Sequence, residues 1–216
     1  MRFVDLFCGI GGFHAALHRL GHECVFATDI DKAAAETYEL NWGKPGGFDV
    51  HRDIREVLDE IPEMDVICAG FPCQPFSKSG SQKGFQDQTR GTLFHDICHL
   101  AEKHKPKVLF LENVPHLVKH DGGNTFSVIQ QRIEELGYDF QWSILSPNKF
   151  GVPQVRTRVY IVAIRKDLVK GSNFSFPKEI SDIELDVRSV LDKKVDSKYA
   201  LSEKELAWLN MWEEFL

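Results

Sequence analysis

Three observations predict an α/β fold for this chain of 216 residues, built on a doubly wound, mostly parallel sheet. Short apolar runs alternate with helix-like segments four times over the first 136 residues, the βαβα pattern that puts helices on both faces of a parallel sheet. Two more extended runs follow, joined by a loop with proline and glycine, and suit a hairpin-like pair at one edge. Gly21 and Gly137 stand just past two helical segments, where a helix takes its C-terminal cap.

Phe3–Phe7 reads as the first strand and Phe13–Leu20 as the first helix. Between them, Phe7-Cys-Gly-Ile-Gly-Gly12 lets backbone approach a ligand, because glycine removes the side chains that would block it; a plain helix entry is the alternative. It is not a dinucleotide fingerprint, since His14 stands where the third glycine belongs. Cys24–Ala27 and Lys32–Leu40 are the next strand and helix. Asp29, and Asp53 before Ile54, read as acids at the ends of the next two strand positions. A carboxylate there either accepts hydrogen bonds from a nucleoside or caps a helix.

Val66–Ala69 runs into Gly70-Phe-Pro-Cys-Gln-Pro-Phe-Ser77. Prolines 72 and 75 fix φ on either side of Cys73, and Pro72 drives Phe71 toward extended geometry, so the thiol sits where a buried strand becomes a rigid turn. Such a thiol is either a nucleophile or part of a structural turn. The polar stretch 77–90, with Gly80 and Gly84, reads as a mobile lid or a surface loop, with Ser77 and Lys83 as candidate phosphate or lid contacts. Leu93–His104, Val108–Leu111 and Thr125–Leu136 continue the alternation, and Tyr138–Leu145 and Val159–Ile164 are the closing pair. Glu112, just after its strand, suits proton transfer or a salt bridge. Arg156 and Arg158 alternate along an extended segment and therefore share a face.

Beyond Asp167 the pattern weakens until Ser202-x-x-Glu205, a capping box, opens a helix with Leu206, Leu209, Trp212 and Leu216 near one face. No apolar run approaches the roughly 18 residues of a membrane span, and the chain opens directly into a strand pattern, so a cytoplasmic location is expected. Five cysteines with irregular spacing fit a reducing compartment, four of them as small core residues. His95 and His99 are four apart but lack a third ligand of suitable spacing, so no metal is expected. The net charge of −6 is unusual for a protein that touches phosphates. Residues 178–216 carry ten acids and six bases, which leaves −2 for the rest, and residues 147–166 hold Lys149, Arg156, Arg158, Arg165 and Lys166 without an acid. That run reads as a basic strip able to follow a phosphate backbone, or as solvated surface charge.

Asp5-Leu-Phe-Cys-Gly-Ile-Gly-Gly-Phe13, the Pro72-Cys73 turn, Glu112-Asn-Val114 and Gln154-Val-Arg-Thr-Arg158, in this order, resemble the cytosine-5 DNA methyltransferases, from about Arg2 to Asp167. Phe71-Pro-Cys73 is nearer to the bacterial restriction–modification enzymes than to the tRNA-methylating branch, which has Pro-Pro-Cys. The resemblance implies a Rossmann-like methyltransferase fold and S-adenosylmethionine as cofactor. It implies that Gly9 and Gly11 form the cofactor turn, that Asp29 and Asp53 bind ribose and adenine, that Ile30 and Ile54 pack the purine, and that Phe7, Pro72 and Leu93 line the pocket. Cys73 would add to carbon 6 of a flipped-out cytosine, Glu112 would donate a hydrogen bond toward ring nitrogen 3, and Arg156 and Arg158 would hold the base and the catalytic loop. Asn113 and Gln154 would orient it, with Ser77 on the substrate.

Residues 1–170 are expected to be the catalytic domain and 171–216 a linker and the start of a target-recognition region. The resemblance stops where that region would begin, so the expected partners are double-stranded DNA and a complementary C-terminal subunit. An inactive remnant that binds cofactor without turnover, and a nucleotide-binding oxidoreductase, are the competing readings.

Overall fold

Six strands form one sheet: β1 (Arg2–Leu6), β2 (Glu23–Thr28), β3 (Val66–Ala69), β4 (Val108–Asn113), β5 (Tyr138–Leu145) and β6 (Arg158–Arg165), in the order β2-β1-β3-β4-β6-β5. The computed structural model describes residues 1–72, 92–170, 174–180 and 184–215. The first four strands are parallel, and β6 runs antiparallel between β4 and β5. The closing pair lies at one edge, as the sequence predicts, with the later strand inside. Burial explains that order: Val159, Ile161, Val162, Ala163 and Ile164 of β6 are buried, whereas β5 alternates in polar residues and can stand at an edge.

Successive side chains of each strand serve opposite layers. Val4, Leu6, Ile67, Ala69, Leu109 and Leu111 pack with Ile54 of α3 (Ile54–Val57), Ile97 and Leu100 of α4 (Leu93–His104), and Ile129 and Ile133 of α5 (Asn124–Glu135). The other face, with Phe3, Val66 and Cys68, lies under Phe13 and Leu17 of α1 (Gly12–Arg19), and the Phe13 ring meets Phe110 edge-on at 4.8 Å. Ala35 and Tyr38 of α2 (Lys32–Trp42) join Cys8, Ala27 and Val50 in a smaller cluster. Each large apolar side chain so buried contributes about 1.5–3 kcal/mol. The exposed ion pairs contribute about 0–1 kcal/mol each, so the two-sided core holds the sheet. Cys8, Cys68 and Cys98 are buried and Cys24 is half-buried, in keeping with core roles.

Gly21 and Gly137 adopt φ 77° and 90° just past α1 and α5, as their cap roles require. The short α6 (Lys166–Val169) follows β6. In α7 (Glu203–Phe215) the capping box is formed: the Ser202 amide donates to Glu205 Oε2 at 2.8 Å and the Glu205 amide to Ser202 Oγ at 3.3 Å. Every described residue from 184 to 215 except half-buried Leu185 is exposed, including Leu206, Leu209 and Trp212; Leu216 lies outside the described residues. Among the described residues no helix is long and apolar enough to cross a membrane.

Two sequence expectations change. Glu112 belongs to β4 rather than following it, because the ladder to β6 continues through Glu112–Tyr160 and Asn113–Val159. The basic run 147–166 is not one strip. Eight residues of β6 span about 23 Å and put Arg158 and Arg165 at opposite ends. Arg158 is ion-paired to Glu112 and Arg165 to Asp167, while Lys166 donates to the Glu134 carbonyl.

Candidate active site

The carboxyl ends of β1, β2 and β3 meet where the strand order reverses, the place at which open parallel sheets bind ligands. The turn after β1 is pinned to β2. The Cys8 amide donates to the Thr28 carbonyl at 3.1 Å, and the Gly9 amide to Asp29 Oδ2 at 2.8 Å. Asp29 Oδ1 takes the Asp31 amide, and Asp31, not Asp29, caps α2. Phe7 is held at φ 55°, a left-handed geometry uncommon outside glycine, and Gly9 adopts φ 54° with open space where a side chain would be. Gly11 is different: a Cβ there would collide with the Trp42 indole, so helix packing as well as φ 92° requires glycine.

Beside this turn is a cavity of about 420 Å³ lined by Phe7, Thr28, Asp29, Ile30, Arg52, Asp53, Ile54, Arg55, Pro72 and Leu93. It brings together all the residues expected to bind cofactor other than the two glycines. Their roles in the fold differ, however. Ile54 is part of the core, whereas Ile30 is 67% exposed. Asp53 does not end a strand, because the loop leading to it makes only the isolated bridge Asp29–His51. Instead it is the N-cap of α3, accepting the Arg55 amide at 3.0 Å and pairing with the Arg55 guanidinium. That pairing lowers the Asp53 pKa below the usual carboxylate value. Apolar walls with carboxylates between them suit a ligand with a flat ring and several hydrogen-bond donors or a positive charge. Sequence reasoning missed Thr28, Arg52 and Arg55 on this wall. The signal for the arginines was their place on either side of Asp53.

A second group lies at the carboxyl ends of β3 and β4. A Cβ built on Gly70 would stand 3.6 Å from Glu112 Oε2 and 3.8 Å from the Phe7 carbonyl, so β1, the start of the Pro72-Cys73 turn and Glu112 are neighbours. Arg158 Nε is 2.9 Å from Glu112 Oε1, both side chains about four-fifths buried. Asn113, 3% exposed, donates through Nδ2 to the Phe71 carbonyl at 2.8 Å and accepts the Val114 amide on Oδ1. It therefore ties β4 to the residue before Pro72. The extended segment expected to carry both Arg156 and Arg158 is a strand only from Arg158 onward. Arg156 is exposed in the preceding loop, its amide on Ser146 Oγ. Gln154 is also exposed in that loop. Cys73, Ser77, Lys83 and the stretch 77–90 lie outside the described residues.

The family described as C-5 cytosine-specific DNA methylase matches residues 1–214. The chain is 49% identical over 180 residues to the Type II methyltransferase M.HhaI of Haemophilus parahaemolyticus, covering 82% of this chain and 53% of that relative. It is 44% identical over 204 residues to M.MspI of a Moraxella species, covering 94% and 46%. It thus spans about half the length of these curated relatives. Among solved structures, the Dnmt2 methyltransferase of S. pombe superposes with a TM-score of 0.68 at 27% identity, over 99% of this chain and 67% of that one.

Proposed function

The chain belongs to the C-5 cytosine-specific DNA methylase family, and we propose that it is the catalytic part of a restriction–modification DNA (cytosine-5)-methyltransferase using S-adenosylmethionine. The observation that carries this reading is the cavity beside the glycine turn, in which Asp29 and Asp53 face a site walled by Phe7, Ile54, Pro72 and Leu93. These residues fit S-adenosylmethionine: the apolar side chains suit the adenine ring and the carboxylates suit its amino group and the ribose hydroxyls. When bound, that cofactor supplies an electrophilic methyl group.

Carbon 5 of cytosine is too weak a nucleophile to take a methyl group unaided. In the proposed reaction the Cys73 thiolate adds to carbon 6 of a base flipped out of duplex DNA, and the displaced electron pair makes carbon 5 nucleophilic. Glu112 stabilises the charge that develops toward ring nitrogen 3, and Arg158 holds Glu112 and the base. Carbon 5 takes the methyl group, with S-adenosylhomocysteine as the leaving group. The carbon 5 proton then passes to a general base or water, and the bond from Cys73 to carbon 6 breaks with its electron pair returning to sulfur, which restores the ring and the thiolate. Asn113 orients the turn that carries Cys73, Arg156 and Gln154 hold the base or its loop, and Ser77 contacts the substrate.

Residues 1–170 form the catalytic unit in this proposal, and 171–216 lead to a target-recognition part supplied by a complementary C-terminal segment. The exposed apolar side chains of α7 favour a protein partner there. They also favour the second reading, cofactor binding without turnover by these residues alone. Methyl incorporation from labelled S-adenosylmethionine into mixed-sequence duplex DNA, with and without that complement, separates the two. Site-specific transfer by the chain alone would overturn the need for a complement, and no transfer with the complement would favour the second reading.

A further inference from the structure

Asp5 stands in the middle of β1 between Val4 and Leu6, and its side chain is completely buried. Its sheet neighbours are Ala27 and Cys68, neither of which offers it a charge. An acid in such surroundings is unfavourable unless its hydrogen bonds hold something in place. Oδ2 accepts the backbone amide of His14 at 3.2 Å, while Oδ1 has no hydrogen-bond partner.

His14 is the third residue of α1, and its amide is one of those that a helix start leaves open. An N-cap side chain ordinarily fills that need, but the N-cap here is Gly11, which has none and cannot have one beneath Trp42. Asp5 supplies the missing acceptor from the strand below. The turn from Phe7 to Gly12 is therefore held at both ends by carboxyl groups: Asp29 on the Gly9 amide, and Asp5 on the first turn of α1.

We infer that Asp5 is a positioning residue for the cofactor cavity, fixing the glycine turn by capping α1 from β1. This rests on the proposal that the cavity beside that turn takes S-adenosylmethionine. Burial, with the charge of Asp29 a lesser cause, raises the Asp5 pKa well above the usual carboxylate value. In either protonation state the carboxyl offers the His14 amide an acceptor oxygen, and asparagine, which keeps one, should replace it.

The test compares the full chain with Asp5→Asn and Asp5→Leu by calorimetric titration with S-adenosylmethionine and by hydrogen exchange at the His14 amide. Asp5→Asn should keep affinity within about twofold and keep the amide protected, whereas Asp5→Leu should bind about tenfold more weakly with protection lost. In methyl transfer with the complement, Asp5→Leu should raise KM for the cofactor more than it lowers kcat. If the leucine variant does not fold, Asp5→Ser, small enough for the site but too short to reach His14, takes its place. Unchanged affinity in a folded variant without the acceptor, or an equal loss in Asp5→Asn, overturns the inference. Failure of the wild-type chain to bind S-adenosylmethionine overturns the cofactor reading instead, and the exchange measurement still judges the capping role.

Discussion

Arg158 Nε meets Glu112 Oε1 at 2.9 Å across the antiparallel pair β4 and β6, one pleat away from the Tyr160 that stands directly opposite Glu112. The contact is diagonal, within reach of long side chains. Glu112 here is ion-paired to a guanidinium, whereas the proposed chemistry asks it to donate a hydrogen bond to a base, so the two residues should act as a unit. Glu112→Gln is expected to slow methyl transfer roughly a hundredfold or more. The double variant with Arg158→Ala should be little slower than the worse single variant. Losses that simply multiply in a double-mutant cycle would show that the residues act separately.

Cys73→Ser should abolish methyl transfer and leave S-adenosylmethionine binding nearly unchanged, because the nucleophile is lost while the glycine turn and the described cavity walls are kept. Trapping with DNA that carries 5-fluorocytosine at the target site checks the same assignment. An adduct that maps to another cysteine would move the nucleophile elsewhere.

Asp53 has a cap role and a proposed ligand role, and two substitutions separate them. Asp53→Ala should weaken cofactor binding by about 1–3 kcal/mol and also remove the cap of α3, worth about 1 kcal/mol of stability. Asp53→Ser keeps a capping hydroxyl but has a shorter reach, so it should recover stability without recovering affinity. Calorimetry beside thermal unfolding decides between them. Wild-type affinity in folded Asp53→Ser would leave Asp53 as a cap alone.

Asn113→Leu leaves the Phe71 carbonyl and the Val114 amide without their buried partner. Stability should fall by about 1–3 kcal/mol in urea unfolding. Methyl transfer should fall by more than the unfolded fraction accounts for, because the tie is one residue before Pro72. A variant as active per folded molecule as wild type would make Asn113 purely structural.

His14 is buried against Trp42, its ring stacked at 4.5 Å, and Nδ1 shares a hydrogen bond with the Tyr38 hydroxyl. Burial, with the neighbouring His18 a lesser cause, lowers its pKa from 6.5 to about 4. Above the unfolded value both states are neutral and the effect is fully present. As the pH falls, the unfolded chain takes up a proton that the folded chain resists, so stability is lost between about 6.5 and about 4. His104, lowered chiefly by its own burial, acts in the same sense. The urea midpoint should therefore drop from about pH 7 to about pH 5, and drop less in His14→Asn. Equal drops in both proteins would show that His14 stays protonatable when folded.

The sequence by itself determined the alternation of strands and helices, the glycines past α1 and α5, the capping box of α7 and seven of the ten residues that wall the cavity. Those signals are local or carried by motifs: burial sets the period of an apolar run, and a helix start needs its acceptor within a few residues. Tertiary structure decided which distant residues meet. Asn113 reaches Phe71 over 42 positions because β4 lies beside β3, and Arg158 reaches Glu112 because β6 inserts against β4. The same insertion draws Glu112 into the strand and divides the basic run between the two ends of the sheet. Asp53 read as an acid at a strand end, either ligand or helix cap; the preceding loop forms only one bridge, and the fold makes Asp53 the cap of α3 on the cavity wall. Asp5 was visible as an acid within an apolar strand, but its capping role was not. An acceptor supplied to α1 from β1 depends on how the helix sits over the sheet, and no spacing along the chain encodes that distance.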